Sequence, residues 1–219
     1  MHIEPGVLAA AKIAAANVVA LSVVGAAAWG VLKPPSRLLE TTLRTLLATL
    51  FFTLCMQAYH LKVGPSELHF LGAMPMYLAL GALPTLLGFA LGLLLQGLLF
   101  EPAELLHLSV NTLSLALPLL ALHFGLGRQV RRVTLGTVLR LDAAYYAGVT
   151  AMVGFWLAAG EVPTPLASWL QFASSYLVVV ALEPLLTVVV VLGISRLPAR
   201  RWARLLFDAR PLAPASAAA

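Results

Sequence analysis

The chain has 219 residues, of which 61% are hydrophobic and only 11% charged, with a net charge of +5. Soluble domains carry about 25% charged residues, so there is too little polar surface to cover a globule of this size in water, and the composition reads as an integral membrane protein. The positive balance is no nucleic-acid signal, because Lys and Arg fall mostly between and after apolar runs, where they set membrane orientation; the single cysteine, Cys55, excludes a disulfide framework and any multi-cysteine metal site.

A spanning helix needs about 20 mostly apolar residues. The first expected span covers 6–32, with Pro5 suited to a helix start. Its apolar run from Ile13 to Leu32 exceeds the ~7–15 residues of a signal-peptide core, and Glu4 leaves the segment before Lys12 weakly basic. The reading is an uncleaved helix; cleavage near Ala26-Ala27-Ala28 would remove His2. Lys33-Pro34-Pro35-Ser36-Arg37 breaks the chain before a second span at 38–61. From Glu67 to Phe100 runs an almost uncharged stretch, too long for one span and short for two. Gly81-Ala82-Leu83-Pro84 divides it into a short third helix (67–81) and a fourth (83–100). The fifth, sixth and seventh are expected at 105–126, 138–159 and 166–192, and 198–219 as a basic, then Pro/Ala-rich cytoplasmic tail on a single domain of 1–197.

Charge supports the count of seven. Basic loops after helices 1, 5 and 7 then share one side, which Lys/Arg bias marks as cytoplasmic. The N-terminus falls outside and the C-terminus inside. A six-span reading would put Arg128, Arg131 and Arg132 opposite the Lys33–Arg37 loop.

With the N-terminus outside, the first two residues acquire chemical interest. A histidine at position 2 lies one peptide bond from the α-amino group of Met1. Amine nitrogen, His2 amide nitrogen and His2 imidazole can close two fused chelate rings in one plane, which suits Ni(II) or Cu(II), with Co(II) possible. Alternatively, His2 is only the second residue of a frayed terminus. A fourth donor could come from His60, His69, His107 or His123; the first three share the outer side, while His123 sits at the inner end of helix 5 and reads as structural. Nitrogen donors exclude Mg²⁺ and Ca²⁺, which want oxygen. Affinity is expected to fall as pH drops, because the donors must shed protons.

Several matches carry a family resemblance. The chain opens Met1-His2-Ile3. It continues with Gly64-Pro65-Ser66-Glu67-Leu68-His69-Phe70-Leu71-Gly72-Ala73 ahead of a Gly/Ala-rich helix, then Gln96-Gly97-Leu98-Leu99-Phe100 and Val110-Asn111-Thr112-Leu113. In these residues it resembles the substrate-specific membrane component of energy-coupling-factor transporters for cobalt and nickel, the CbiM/NikM family. The matches cover about 1–6 and 60–120; the second half adds only general topology. The resemblance implies Co(II) or Ni(II) as cargo, held by the Met1 amine, the amide and imidazole of His2, and His69. It also implies a transmembrane coupling protein and two cytoplasmic ATPases as partners, in a multi-pass protein of the inner (plasma) membrane. Three departures stand out: one extra residue before His69, Ala73 in place of a second glycine, and Lys12 close to a cation site.

The remaining polar residues each carry two readings. Ser66 belongs to the His69 motif and is a candidate for its surroundings. His60 is an extra ligand, a relay from solvent or, preferred, a polar cap on helix 2. His107, with Glu101 and Glu104, is a weak collecting patch or an ordinary solvated loop. Gln96 and Asn111 orient ligands or bond across helices. Glu183, before Pro184 deep in helix 7, is costly in lipid and hence a functional candidate; the alternative is a pair that locks the bundle. Asp142 reads as an interfacial charge. No Gly-x-x-x-x-Gly-Lys-Ser/Thr loop is present, so ATP must be hydrolysed by partners. The expected function is metal capture for uptake, not catalysis. The rivals are a non-transporting scaffold or metal sensor, and, less favoured, a metal-dependent membrane enzyme, for which His-Glu-x-x-His is missing.

Overall fold

The computed structural model describes residues 2–3, 6–33, 35–63, 66–130, 133–162, 164–198 and 201–208, with the side chains at 2, 201 and 204 excepted. Its helices are α1 (Ala10–Leu32), α2 (Leu38–Ala58), α3 (Ala73–Leu80), α4 (Ala82–Leu99), α5 (Leu108–Phe124), α6 (Leu135–Ala158), α7 (Leu166–Ser195) and α8 (Arg201–Leu206). Three short strands, β1 (His2–Ile3), β2 (His60–Val63) and β3 (Ser66–His69), form an antiparallel sheet in the order β1-β3-β2.

Small residues let the helix backbones close up where lipid offers no hydrophobic drive. A Cβ on Gly88 would meet the Ala48 Cβ at 2.5 Å, and one on Gly92 would strike the Phe52 ring, so α4 lies tightly on α2. Across α5 and α6, Gly148 faces Pro118, and Trp156 donates to Ser114 Oγ at 3.0 Å. The core runs through the bundle along Phe52, Phe89, Tyr145, Tyr146, Phe172 and Tyr176, all essentially fully buried.

Contacts define two poles. At one meet the start of α1, the end of α2, the sheet, the end of α4 and the start of α5: Gln57 donates to Gln96 at 2.8 Å, Lys12 pairs with Glu161 at 2.7 Å, and Ile3 bonds to Asn111. At the other, Tyr77 of α3 bonds to His123 of α5 at 3.1 Å, and Asp208 donates its amide to the Ala79 carbonyl at 2.6 Å. Successive helices therefore alternate in direction.

Five segments are long and apolar enough to cross a membrane: Ala10–Leu32, Pro35–Ala58, Ala82–Leu99, Pro102–Gln129 and Leu166–Ser195. α6 spans 24 residues but carries Arg140 and Asp142. The third helix expected over 67–81 differs most. Residues 66–69 are strand, and α3 has only 8 residues, about 12 Å at 1.5 Å per residue, too short to cross a ~30 Å hydrocarbon layer. A strand, a three-residue turn and a short helix thus occupy the stretch expected as the third span. Gly81, at φ +95°, then turns the chain sharply into α4. The expected end of the second span, 59–61, leaves α2 and enters β2.

Part of the segment expected as a tail is ordered against the helices. Residues 201–208 fold back on the bundle, where the Arg44 guanidinium donates to the carbonyls of Leu205 (3.2 Å) and Phe207 (2.6 Å) while pairing with Glu40 at 2.7 Å. Residues 209–219 lie outside the described residues. Asp142, expected at an interface, is fully buried, one helical turn from Tyr146. Gly72 faces Phe51 and Cys55 inside the bundle, whereas Ala10, Ala11, Ala14 and Ala15 of α1 are exposed.

Candidate metal centre

The terminal residues are drawn into the fold by backbone pairing. His2 lies opposite Glu67 and Ile3 opposite Ser66 on β3, the central strand, whose last residue is His69. Neighbouring strands are about 4.8 Å apart and residues rise about 3.4 Å along a strand. The His2 backbone thus lies one strand over and two residues along from His69. Met1 and the His2 side chain lie outside the described residues.

Two side chains one turn apart, His107 at the N-cap of α5 and Asn111 in its first turn, hold this strand. Ile3 donates its amide to Asn111 Oδ1 at 3.1 Å, and its carbonyl accepts from His107 Nδ1 at 2.9 Å. Residues 107 and 111 are one helical turn apart and so meet the same peptide unit. Ile3, Asn111 and His107 are all buried. A buried amide without a partner costs about 1–3 kcal/mol, so both bonds hold β1 in register. Asn111 and His107 thus act on the backbone one residue after His2. His107 is neither a solvated loop residue nor an exposed collecting group, and its Nε2 is buried without a hydrogen-bond partner among the described residues.

His69 is 2% exposed. Its Nδ1 lies 3.4 Å from the Met56 carbonyl; an N–H there donates to the oxygen and leaves the Nε2 lone pair for a metal, the arrangement typical of ligating histidines. Nε2 is 3.2 Å from Glu67 Oε2. The other Glu67 oxygen is 2.9 Å from His60 Nδ1, and the two imidazoles stack with centroids 5.9 Å apart. His60 pairs with His69 across β2 and β3. It is therefore a strand residue stacked on His69 and paired with Glu67 rather than a cap on helix 2. Ser66 is fully buried within β3.

Glu67 also belongs to an acidic group that sequence reasoning saw only in part. Oxygens of Glu67, Glu101 and Glu104 lie within 4.8 Å of one another. Glu104 and His107 are three apart in a 3-10 turn (Pro102–His107), where side chains at that spacing eclipse. Burial, reinforced by the charges of Glu104 and Glu67, pushes the Glu101 carboxyl above its ordinary value, and His69 and His60 oppose the shift. Lys12 does not stand as a bare charge beside the site, because Glu161 neutralises it.

Two predicted residues lie elsewhere. Gln96 is buried at the α2–α4 contact, where Gln57 donates to it. Glu183 is fully buried in α7, and its carboxylate accepts the amides of Gly72 (3.2 Å) and Met74 (2.9 Å) and the hydroxyl of Tyr146. It touches the start of α3, three residues beyond His69. Tyr146 and the Met56 carbonyl were not identified from the sequence. Neither carries a spacing signal, since each reaches its partner only through tertiary packing.

The family model for the cobalt uptake substrate-specific transmembrane region matches residues 2–200. The chain belongs to this family. It is accordingly a substrate-specific membrane component of cobalt uptake, and cobalt is the cargo the family carries. No curated protein and no solved structure matches the chain. Membership covers the second half, including α6 and α7, where the sequence resemblance had offered only topology. Glu183 and Tyr146 thus lie within the family region, as do His2, His69 and Asn111.

Proposed function

We propose that the chain is the metal-capturing subunit of an energy-coupling-factor importer for Co(II) or Ni(II), lying in the inner membrane with its N-terminus outside. The donors are the Met1 amine, the His2 amide and imidazole, and His69. The observation that carries this reading is the pairing of the His2–Ile3 strand with the strand that ends in His69, clamped by Asn111 and His107. A frayed terminus would need neither clamp. The metal is cargo and must leave again, so the site's task is reversible capture. Four nitrogens in one plane favour nickel on geometry, while the family name leans to cobalt. The chain has no phosphate-binding loop, so a coupling protein and two ATPases supply the energy.

The test is isothermal titration of Ni(II) and Co(II) into the intact chain, whose terminus is checked by N-terminal sequencing. His2→Ala and a variant with one residue inserted before His2 run alongside. Loss of binding in both supports the terminal chelate. Binding that survives the insertion moves the site to His60, His69 and the glutamates. No binding by an intact chain with a free amine favours a scaffold.

A further inference from the structure

We propose that Glu183 is a positioning residue for metal capture: its carboxylate, steadied by Tyr146, grips the amide end of α3 and thereby sets the pose of His69. The inference rests on the reading of His69 as a metal donor. A carboxylate at this depth is expensive unless its oxygens are satisfied. Here both are, by two main-chain amides and a phenol. The amides belong to the start of α3, where unpaired N–H groups and the helix dipole favour a negative charge. They come from residues more than 100 positions away in sequence, so the bond fixes where α3 hangs, not merely how it begins.

The link from α3 back to His69 is short and stiff. Only Phe70, Leu71 and Gly72 intervene. Phe70 donates its amide to the Tyr59 carbonyl at 3.1 Å, and Leu71 is fully buried. Gly72 adopts φ +62°, and a Cβ there would lie 2.5 Å from the Phe51 ring. The turn thus has one way to sit, and a displacement of α3 passes to β3. On the α7 side, Thr187 bonds back to the Glu183 carbonyl at 2.9 Å. Pro184 follows and removes one rung of the helix ladder beside the carboxylate. A residue that only locked the bundle would affect every donor alike. One that acts through α3 affects His69 and leaves the chelate at the other strand intact.

Glu183→Gln is nearly isosteric but loses the charge and one acceptor. Ni(II) and Co(II) affinities are measured for the full chain in detergent, together with the visible ligand-field spectrum of the Ni(II) complex. E183Q is expected to weaken binding by about 10–100-fold, the range for groups that orient a metal ligand. Its Ni(II) spectrum should move to that of His69→Ala. In the H69A background E183Q should cost nothing further, because coupled residues are non-additive. Tyr146→Phe, which spares the two amide bonds, should show a smaller loss that also vanishes in H69A. Unchanged affinity in E183Q overturns the proposal, as does an equal loss in both backgrounds. If H69A alone binds normally, the donor assignment itself fails.

Discussion

At the scale of single residues, the terminal strand depends on Asn111 more than on its own two residues. Asn111→Leu keeps the volume but leaves the buried Ile3 amide without an acceptor. The loss should be about 1–3 kcal/mol of stability, read by denaturant unfolding in detergent. Metal affinity should fall with it while His69 stays in place, so H69A and N111L should each weaken binding through different donors. Lys12 makes a contrasting case. Its pairing with Glu161 joins two half-exposed side chains, and such pairs contribute at most about 1 kcal/mol. Lys12→Met should leave both melting temperature and Co(II) affinity near their starting values. A large gain in affinity would show that the ammonium repels the metal despite its partner.

At the scale of elements, the long helices were legible and the sheet was not. Pro34-Pro35, Glu101-Pro102 and Gly81 punctuate runs of apolar residues, and these signals place helix ends within a few residues. Residues 67–69 read as the start of a helix, because Glu-Leu-His flows without a break into the apolar stretch that follows. Their strand conformation comes from β1 and β2, and β1 lies far upstream, so no local pattern reports it. His2 and His69 were named as candidate donors because donor chemistry and motif spacing survive in the sequence. Glu67 and Tyr146 were not, because their roles appear only when strands and helices are assembled. The turn at Gly72 gives a direct check. Gly72→Ala places a side chain at φ +62° against Phe51, and strain of this kind costs about 1–3 kcal/mol. The variant should melt lower and lose metal affinity, with Ni(II) binding more affected than secondary structure seen by circular dichroism.

At the scale of the whole molecule, α1 is the least buried of the five apolar spans. Its Val18, Val19, Leu21 and Trp29 are exposed large hydrophobics, a surface suited to lipid or to the proposed coupling protein. The chain alone in proteoliposomes should take up labelled Co(II) only to the level of its binding sites, with ATP making no difference. Accumulation against a gradient should require the coupling protein and its ATPases; accumulation without them would overturn the proposed division of labour. The three-stranded sheet is held from two sides. Ile3 is tethered to α5, whereas the turn behind His69 is tethered to α7, with α6 between them. On the proposed ligand set, the donors therefore hang from two different pillars. A planar four-nitrogen complex tolerates little misalignment, so a slide of α7 past α5 would prise the two halves apart and let go of the ion without melting any helix.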